Sequence, residues 1–143
     1  MELKNVCVFG DSVMKGIVVD KENSPVNGVK YKISDKGFVA RCREKLNIQI
    51  DNFARFGGVV SQGVKLIGRY VDRIKSSDYV LFEYGGNDCD YKWSDISADP
   101  AGEFLPNTPS DKFEKTYGEC IEYAKSMGAN VCLCNLVPLD AEK

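Results

Sequence analysis

Apolar runs of strand length alternate with amphipathic helical stretches along this chain, and three of the runs empty into clusters of Gly, Asp, Asn and Ser. That alternation constrains the fold more than any other feature. Residues 3–9 are apolar and β-branched and read as a first strand, which ends at Gly10-Asp11-Ser12. In 16–34, two short apolar runs flank Asn27-Gly28, a strong turn pair, and predict a β-hairpin excursion. A first helix is predicted over 37–46, with Phe38, Val39, Cys42 and Leu46 on one face and Asp35 as N-cap. Residues 48–53 alternate as a second strand. Ser61 is predicted to cap a second helix carrying Val64, Ile67, Val71 and Ile74. Residues 78–84 form a nearly continuous apolar run, expected to be a third strand buried on both faces. A long loop follows over 88–109. Ser110 opens a third helix that closes with Gly128 at C′, and 130–137 is a fourth strand, apolar on both sides. The order β-α-β-α-β-α-β predicts a parallel sheet with right-handed crossovers in one domain covering 1–143.

Composition narrows the function classes. With 19 Lys+Arg against 21 Asp+Glu, nothing directs the chain to nucleic acid or an anionic membrane. His is absent, which excludes any site needing imidazole from these residues. Cys7, Cys42, Cys89, Cys120, Cys132 and Cys134 show no CxxC spacing. They read as buried free thiols in a reducing, cytoplasmic setting, with no metal site and no cofactor. No basic, apolar leader opens the chain and no run reaches membrane-spanning length.

In open parallel sheets, ligands bind beyond the carboxyl ends of the strands. Three clusters fall there: Gly10-Asp11-Ser12, residues 52–58 and Gly85-Gly86-Asn87-Asp88. Each alone reads equally as a strand-exit turn. Together they make an acyl-transfer site: Ser12 as nucleophile, with the Ser12 N–H, the Gly57 N–H and the Asn87 side-chain amide converging on one oxyanion. An anion nest at Gly10-Asp11-Ser12 is a weaker alternative, because no Gly-rich run or P-loop lysine accompanies it. Tyr91, Trp93 and Phe104 either line an acyl pocket or anchor the long loop. Arg55 either meets an anionic substrate or is solvated.

These three blocks, in this order and at these strand ends, resemble the SGNH hydrolases, also called GDSL-type lipases or esterases. The resemblance implies a flavodoxin-like three-layer α/β/α fold with strand order 2-1-3-4-5, of which the fifth strand is missing here. It implies metal-free hydrolysis of carboxylic esters. Ser12 would be the nucleophile, Ser12, Gly57 and Asn87 the oxyanion hole, and Asp11 a support for the nucleophile loop, with Gly10, Gly85 and Asp88 in the matching blocks. The family's last block, Asp-x-x-His, is not matched: Asp140 has Lys143 at that spacing, and a terminal lysine is a poor base. Two readings remain. The chain is the N-terminal part of a longer ester hydrolase, or it is a non-catalytic module binding acylated or carbohydrate ligands in the retained pocket. On the first reading, strands 78–84 and 130–137 are expected to be bare on one face, and 130–137 to lie at an edge. That face would be covered by a missing C-terminal fragment or by self-association.

Overall fold

The structure, a computed structural model, describes residues 5–136. In chain order its elements are β1 (Asn5–Gly10), α1 (Ser12–Lys15), β2 (Ile17–Val19), β3 (Tyr31–Ile33), α2 (Phe38–Leu46), β4 (Gln49–Asn52), α3 (Val60–Arg69), α4 (Val71–Lys75), β5 (Tyr79–Glu83), α5 (Trp93–Ala98), α6 (Ser110–Ser126) and β6 (Asn130–Leu133).

Four of the six strands form one parallel sheet in the order β4-β1-β5-β6, with Val6 beside Ile50 on one side and Tyr79 on the other. Successive side chains of a strand point to opposite faces. Cys7, Phe9, Val80 and Phe82 therefore enter one core, closed by Leu66 and Ile67 of α3 and Cys120 and Ala124 of α6. Val8 and Ile50 enter a second core against Val39, with Cys42 packed alongside on α2. The result is three layers, α/β/α, with every parallel strand delivering its carboxyl end to the same edge. The second core is the thinner. Beside α2 an apolar cavity of about 310 Å³ opens over Val6, Tyr79, Leu81 and Cys132. Phe38 and Leu46 at its rim are 56% and 58% exposed. Within the described residues β6 is an edge strand, pairing with β5 alone.

Several expectations need correction. Residues 88–109 are not one loop, because α5 forms inside them. The second helix starts at Val60 rather than from a Ser61 cap, and it breaks at Tyr70 into α3 and α4. Tyr70 leaves helical geometry (φ −114°, ψ 30°), and its ring stacks on Phe53 at 3.9 Å. Asp35 does not cap α2. Gly37 takes that position with no side-chain hydrogen bond. The excursion is a hairpin, with Ile17 opposite Ile33 and Val19 opposite Tyr31, but Asn27-Gly28 is not its tight turn. Residues 20–30 form a wider loop, held by the Ser24 hydroxyl on the Asp20 carbonyl at 2.6 Å and by Lys32 on Asp20 at 3.1 Å. β6 stops at Leu133, and the expected strand residue Val137 lies outside the described residues, as do Asp140 and Lys143. The thiols are unpaired, but only Cys7 and Cys120 are fully buried, and Cys89 is exposed.

Candidate active site

At the carboxyl edge of the sheet, β1 runs out at Gly10, packed so closely that a Cβ there would lie 2.6 Å from the Glu83 carbonyl oxygen. Asp11 turns the chain into α1. Its buried carboxylate accepts from the Val13 N–H at 2.7 Å, a capping bond that sets Ser12 as the first helical residue, half-buried. The other Asp11 oxygen accepts from the Asn87 amide at 3.3 Å, and the same amide nitrogen donates to the Gly58 carbonyl at 3.0 Å. One side chain therefore ties together the loops that follow β1, β4 and β5.

The β4 loop is fixed from below. Asn52 accepts from the Ala54 N–H at 3.0 Å and donates to the Met14 carbonyl at 2.8 Å. The Arg55 N–H reaches the Gly10 carbonyl at 3.0 Å. Two glycines serve this loop for different reasons. Gly57 sits at φ +64° with open space around it, so its backbone angle excludes most side chains. At Gly58 the cause is contact, since a Cβ would lie 2.8 Å from the Gly10 carbonyl oxygen.

Asp88, 1% exposed, does not point toward Ser12's loop. It accepts from the Val60 N–H at the start of α3 at 3.1 Å and from the Thr108 hydroxyl at 2.6 Å. It is a brace between the β5 loop, α3 and the segment before α6. Gly85 takes φ +133° beneath the Leu136 side chain. Thr108 gave no sequence signal. Glu83 is missed within the apolar strand run 79–84, although it is the one acid there and that could have marked it. It is 6% exposed, and its carboxylate lies 3.4 Å from the Asp11 N–H. Burial first, and the Asp11 charge second, push Glu83 up to about 7.

The arrangement supplies donors. Ser12 opens α1, so its N–H has no intrahelical acceptor. Among the described residues the Gly57 N–H has no recorded acceptor either. Asn87 differs: both of its amide hydrogens are engaged, by Asp11 and Gly58. To serve an oxyanion it must give up one of them. Among the described residues no three His, Cys, Asp or Glu side chains cluster as metal ligands.

Cavities flank these loops on both sides. Beyond the β5 loop, about 380 Å³ is bounded by Tyr84, Gly85, Phe113, Tyr117 and Leu136. Beyond the β4 loop, a wider one of about 730 Å³ runs from Lys15 to Arg69. Neither is lined by Trp93, which is 65% exposed and donates its indole N–H to Asp90 at 2.8 Å. No described helix is long and apolar enough to cross a membrane.

The sequence profile of the GDSL-like Lipase/Acylhydrolase family matches residues 6–142. No curated protein matches the chain in sequence. Among solved structures, the chain is similar to the psychrotrophic esterase EstA from Pseudoalteromonas sp. (13% identity, TM-score 0.63) over 91% of this chain and 58% of that one. It is similar also to a lipolytic protein of the G-D-S-L family from Desulfitobacterium hafniense (14%, 0.60), again over 91% and 58%. A GDSL-like lipase from Parabacteroides merdae (17%, 0.55) is covered at 59%, over 93% of this chain. At such identities the likeness is one of fold. The chain spans a little under three fifths of the length of these structures.

Proposed function

This chain belongs to the GDSL-like lipase/acylhydrolase family, and we propose from that premise that it carries the nucleophile half of a serine ester hydrolase. The observation that carries the reading is the Asn87 bridge, which gathers the Ser12, Gly57 and Asn87 loops at one sheet edge. In the proposed reaction the Ser12 Oγ bonds to the ester carbonyl carbon and its proton passes to a base. The oxyanion is held by the Ser12 and Gly57 N–H groups and by Asn87. The C–O bond then breaks, the alcohol leaves with the proton, and water hydrolyses the acyl-serine. A preorganised oxyanion donor is worth on the order of 3–4 kcal/mol in such a transition state. The apolar cavity between Tyr84, Phe113 and Leu136 suits the acyl chain.

No His exists among the 143 residues, and on this reading the base is supplied by another segment. A segment outside this chain, carrying the family's Asp-x-x-His and a fifth strand of a flavodoxin-like sheet, would lie beside β6 and cover the apolar cavity next to α2. The absence of His also favours a second reading, a binding module that keeps the pocket for acylated or carbohydrate ligands. The unpaired thiols support a reducing compartment for either.

Added imidazole separates the two readings, because it stands in for the missing base. On the hydrolase reading, p-nitrophenyl acetate turnover by the chain is slow, about 10⁴–10⁶ below that of a complete serine hydrolase. It rises with imidazole beyond the protein-free background, and Ser12→Ala removes that increment. An increment that survives Ser12→Ala would overturn the assignment of the nucleophile.

A further inference from the structure

We propose that the cavity on the β4 side of the Ser12 loop is an anion-recognition pocket that takes a phosphate monoester group carried by the substrate. Lys15, Arg55, Lys65 and Arg69 bring four cationic side chains to its wall, and neither Asp nor Glu lines it. The stretch from Asn52 to Val71 contains no acidic residue, in a chain with 21 acids in 143 residues. Among the described residues none of the four cations has a carboxylate within ion-pair distance, whereas Arg73, one turn further on, holds Asp51 at 2.6 Å.

A solvated helix face explains this poorly. Lys65 and Arg69 stand four apart on α3, a like-charge spacing that costs a helix about 0.2–0.5 kcal/mol. The helix dipole rewards Arg69 in the last turn but not Lys65 or Arg55. A dianion with three acceptor oxygens offsets the repulsion, and such a group suits several converging Lys and Arg donors better than a single carboxylate does.

The pocket is also wired to the site. Arg55 donates its backbone N–H to Gly10 at 3.0 Å, and Lys15 donates its own to Asp11 at 3.0 Å. Asn52 holds Met14 at 2.8 Å. Backbone shared with the Ser12 loop thus positions the basic wall, so an anion bound there brings an attached ester to Ser12. Phe53 and Tyr70, stacked at 3.9 Å, add an apolar wall for the carbon skeleton. The inference rests on the hydrolase reading for what is cleaved, but not for the binding of the anion.

Titration calorimetry with glycerol 3-phosphate, and with glycerol as its uncharged counterpart, tests it on the purified chain. Vesicles of phosphatidylcholine with and without phosphatidate identify whether the monoester is soluble or lipid-borne. Glycerol 3-phosphate or the phosphatidate vesicles should bind, more weakly as salt rises. Combined Lys65→Ala and Arg69→Ala should weaken that binding by about tenfold or more. Lys112→Ala with Lys115→Ala, which removes the same charge from exposed positions of α6, should leave it nearly unchanged. Equal thermal unfolding midpoints for both pairs exclude misfolding as the cause. Binding to neither phosphate probe, or equal weakening by the two pairs, overturns the proposal. Binding without the Ser12-dependent increment of hydrolysis by added imidazole leaves the pocket standing and removes the hydrolase reading. Ser12-dependent hydrolysis without binding does the reverse.

Discussion

Glu83 and Asp11 are two buried carboxyl groups that interact beneath the Ser12 loop. Burial disfavours the charged form of Glu83 first, and the Asp11 charge adds to it, which is why Glu83 keeps its proton up to about 7. Tyr117 and Cys134 face the same charge, and burial with that charge raises both of their ionisations as well. The sign for stability follows. An unfolded Glu releases its proton near pH 4.3, while native Glu83 holds it until about 7. Between those values the unfolded state binds fewer protons, so stability falls as pH rises and levels off above about 7. Glu83→Gln keeps an acceptor for the Asp11 N–H and abolishes the titration. The variant should match the parent near pH 4 and exceed it at pH 8 by about 1–3 kcal/mol, read from urea midpoints. Parallel pH profiles for the two proteins would show that the carboxyl pair is not coupled to folding. Reading 78–84 as an apolar run buried on both faces conceals this pair. Val80 and Phe82 do enter the larger core, but the opposite face ends in Glu83. The meeting of the Ser12 and Asn87 loops at one sheet edge was legible because a parallel sheet must bring its strand ends together. The internal bonding of Asn87 was not, since it depends on the backbone path of Gly58.

Among the helices, glycine placement separates packing from propensity. Gly68 in α3 and Gly118 in α6 have nothing within 4 Å of an added Cβ, and neither needs a positive φ. Gly68→Ala and Gly118→Ala should each stabilise the fold by about 0.5–1 kcal/mol, visible as raised thermal midpoints. Gly63 sits where α3 crosses α6, and a Cβ would lie 3.0 Å from the Tyr84 ring and 3.2 Å from the Cys120 sulfur. Gly63→Ala should therefore destabilise, by roughly 1 kcal/mol net, because overpacking outweighs the helix gain. A stabilised Gly63→Ala would mean that the α3–α6 contact is slack. Element recognition followed the same division. The long α6 carries an apolar stripe, Cys120 and Ala124 among it, and its periodicity announces it. α5 buries no residue and lacks a side-chain cap, so Trp93–Ala98 carries no periodic signal at all. α3 and α4 read as one helix because Val64, Ile67, Val71 and Ile74 keep the period across Tyr70. The Phe53–Tyr70 stack that breaks it is a tertiary contact.

At the scale of the whole molecule, the layers are unequal. Among the described residues, one sheet face is closed by α3 and α6, and the other only partly by α2, which leaves apolar side chains at Phe38, Leu46 and Tyr79 exposed. Such a patch favours association at about 25 cal/mol per Å² of apolar surface covered, before the entropic cost of binding. Light scattering should show the purified chain self-associating with concentration, and Phe38→Lys with Tyr79→Lys should reduce this without loss of thermal stability. A monomer at every concentration would remove the patch as an association surface. Leu133→Lys serves as a control, since its register beside Phe82 sets Leu133 on the α6 face, away from the patch.

The central position of β1 also governs how the chain acquires its shape. β1 is the first strand of the chain, yet it pairs on one flank with residues 49–52 and on the other with 79–83. During synthesis at 5–20 residues per second, Val6 waits roughly 4–15 s for Tyr79 to be made. Until then the strand that will become the middle of the sheet has an unpaired edge. Only the β2–β3 hairpin and individual helices can form early, from neighbouring residues. Folding of this chain is therefore a late, long-range closure, in the slower regime of domains dominated by distant pairings.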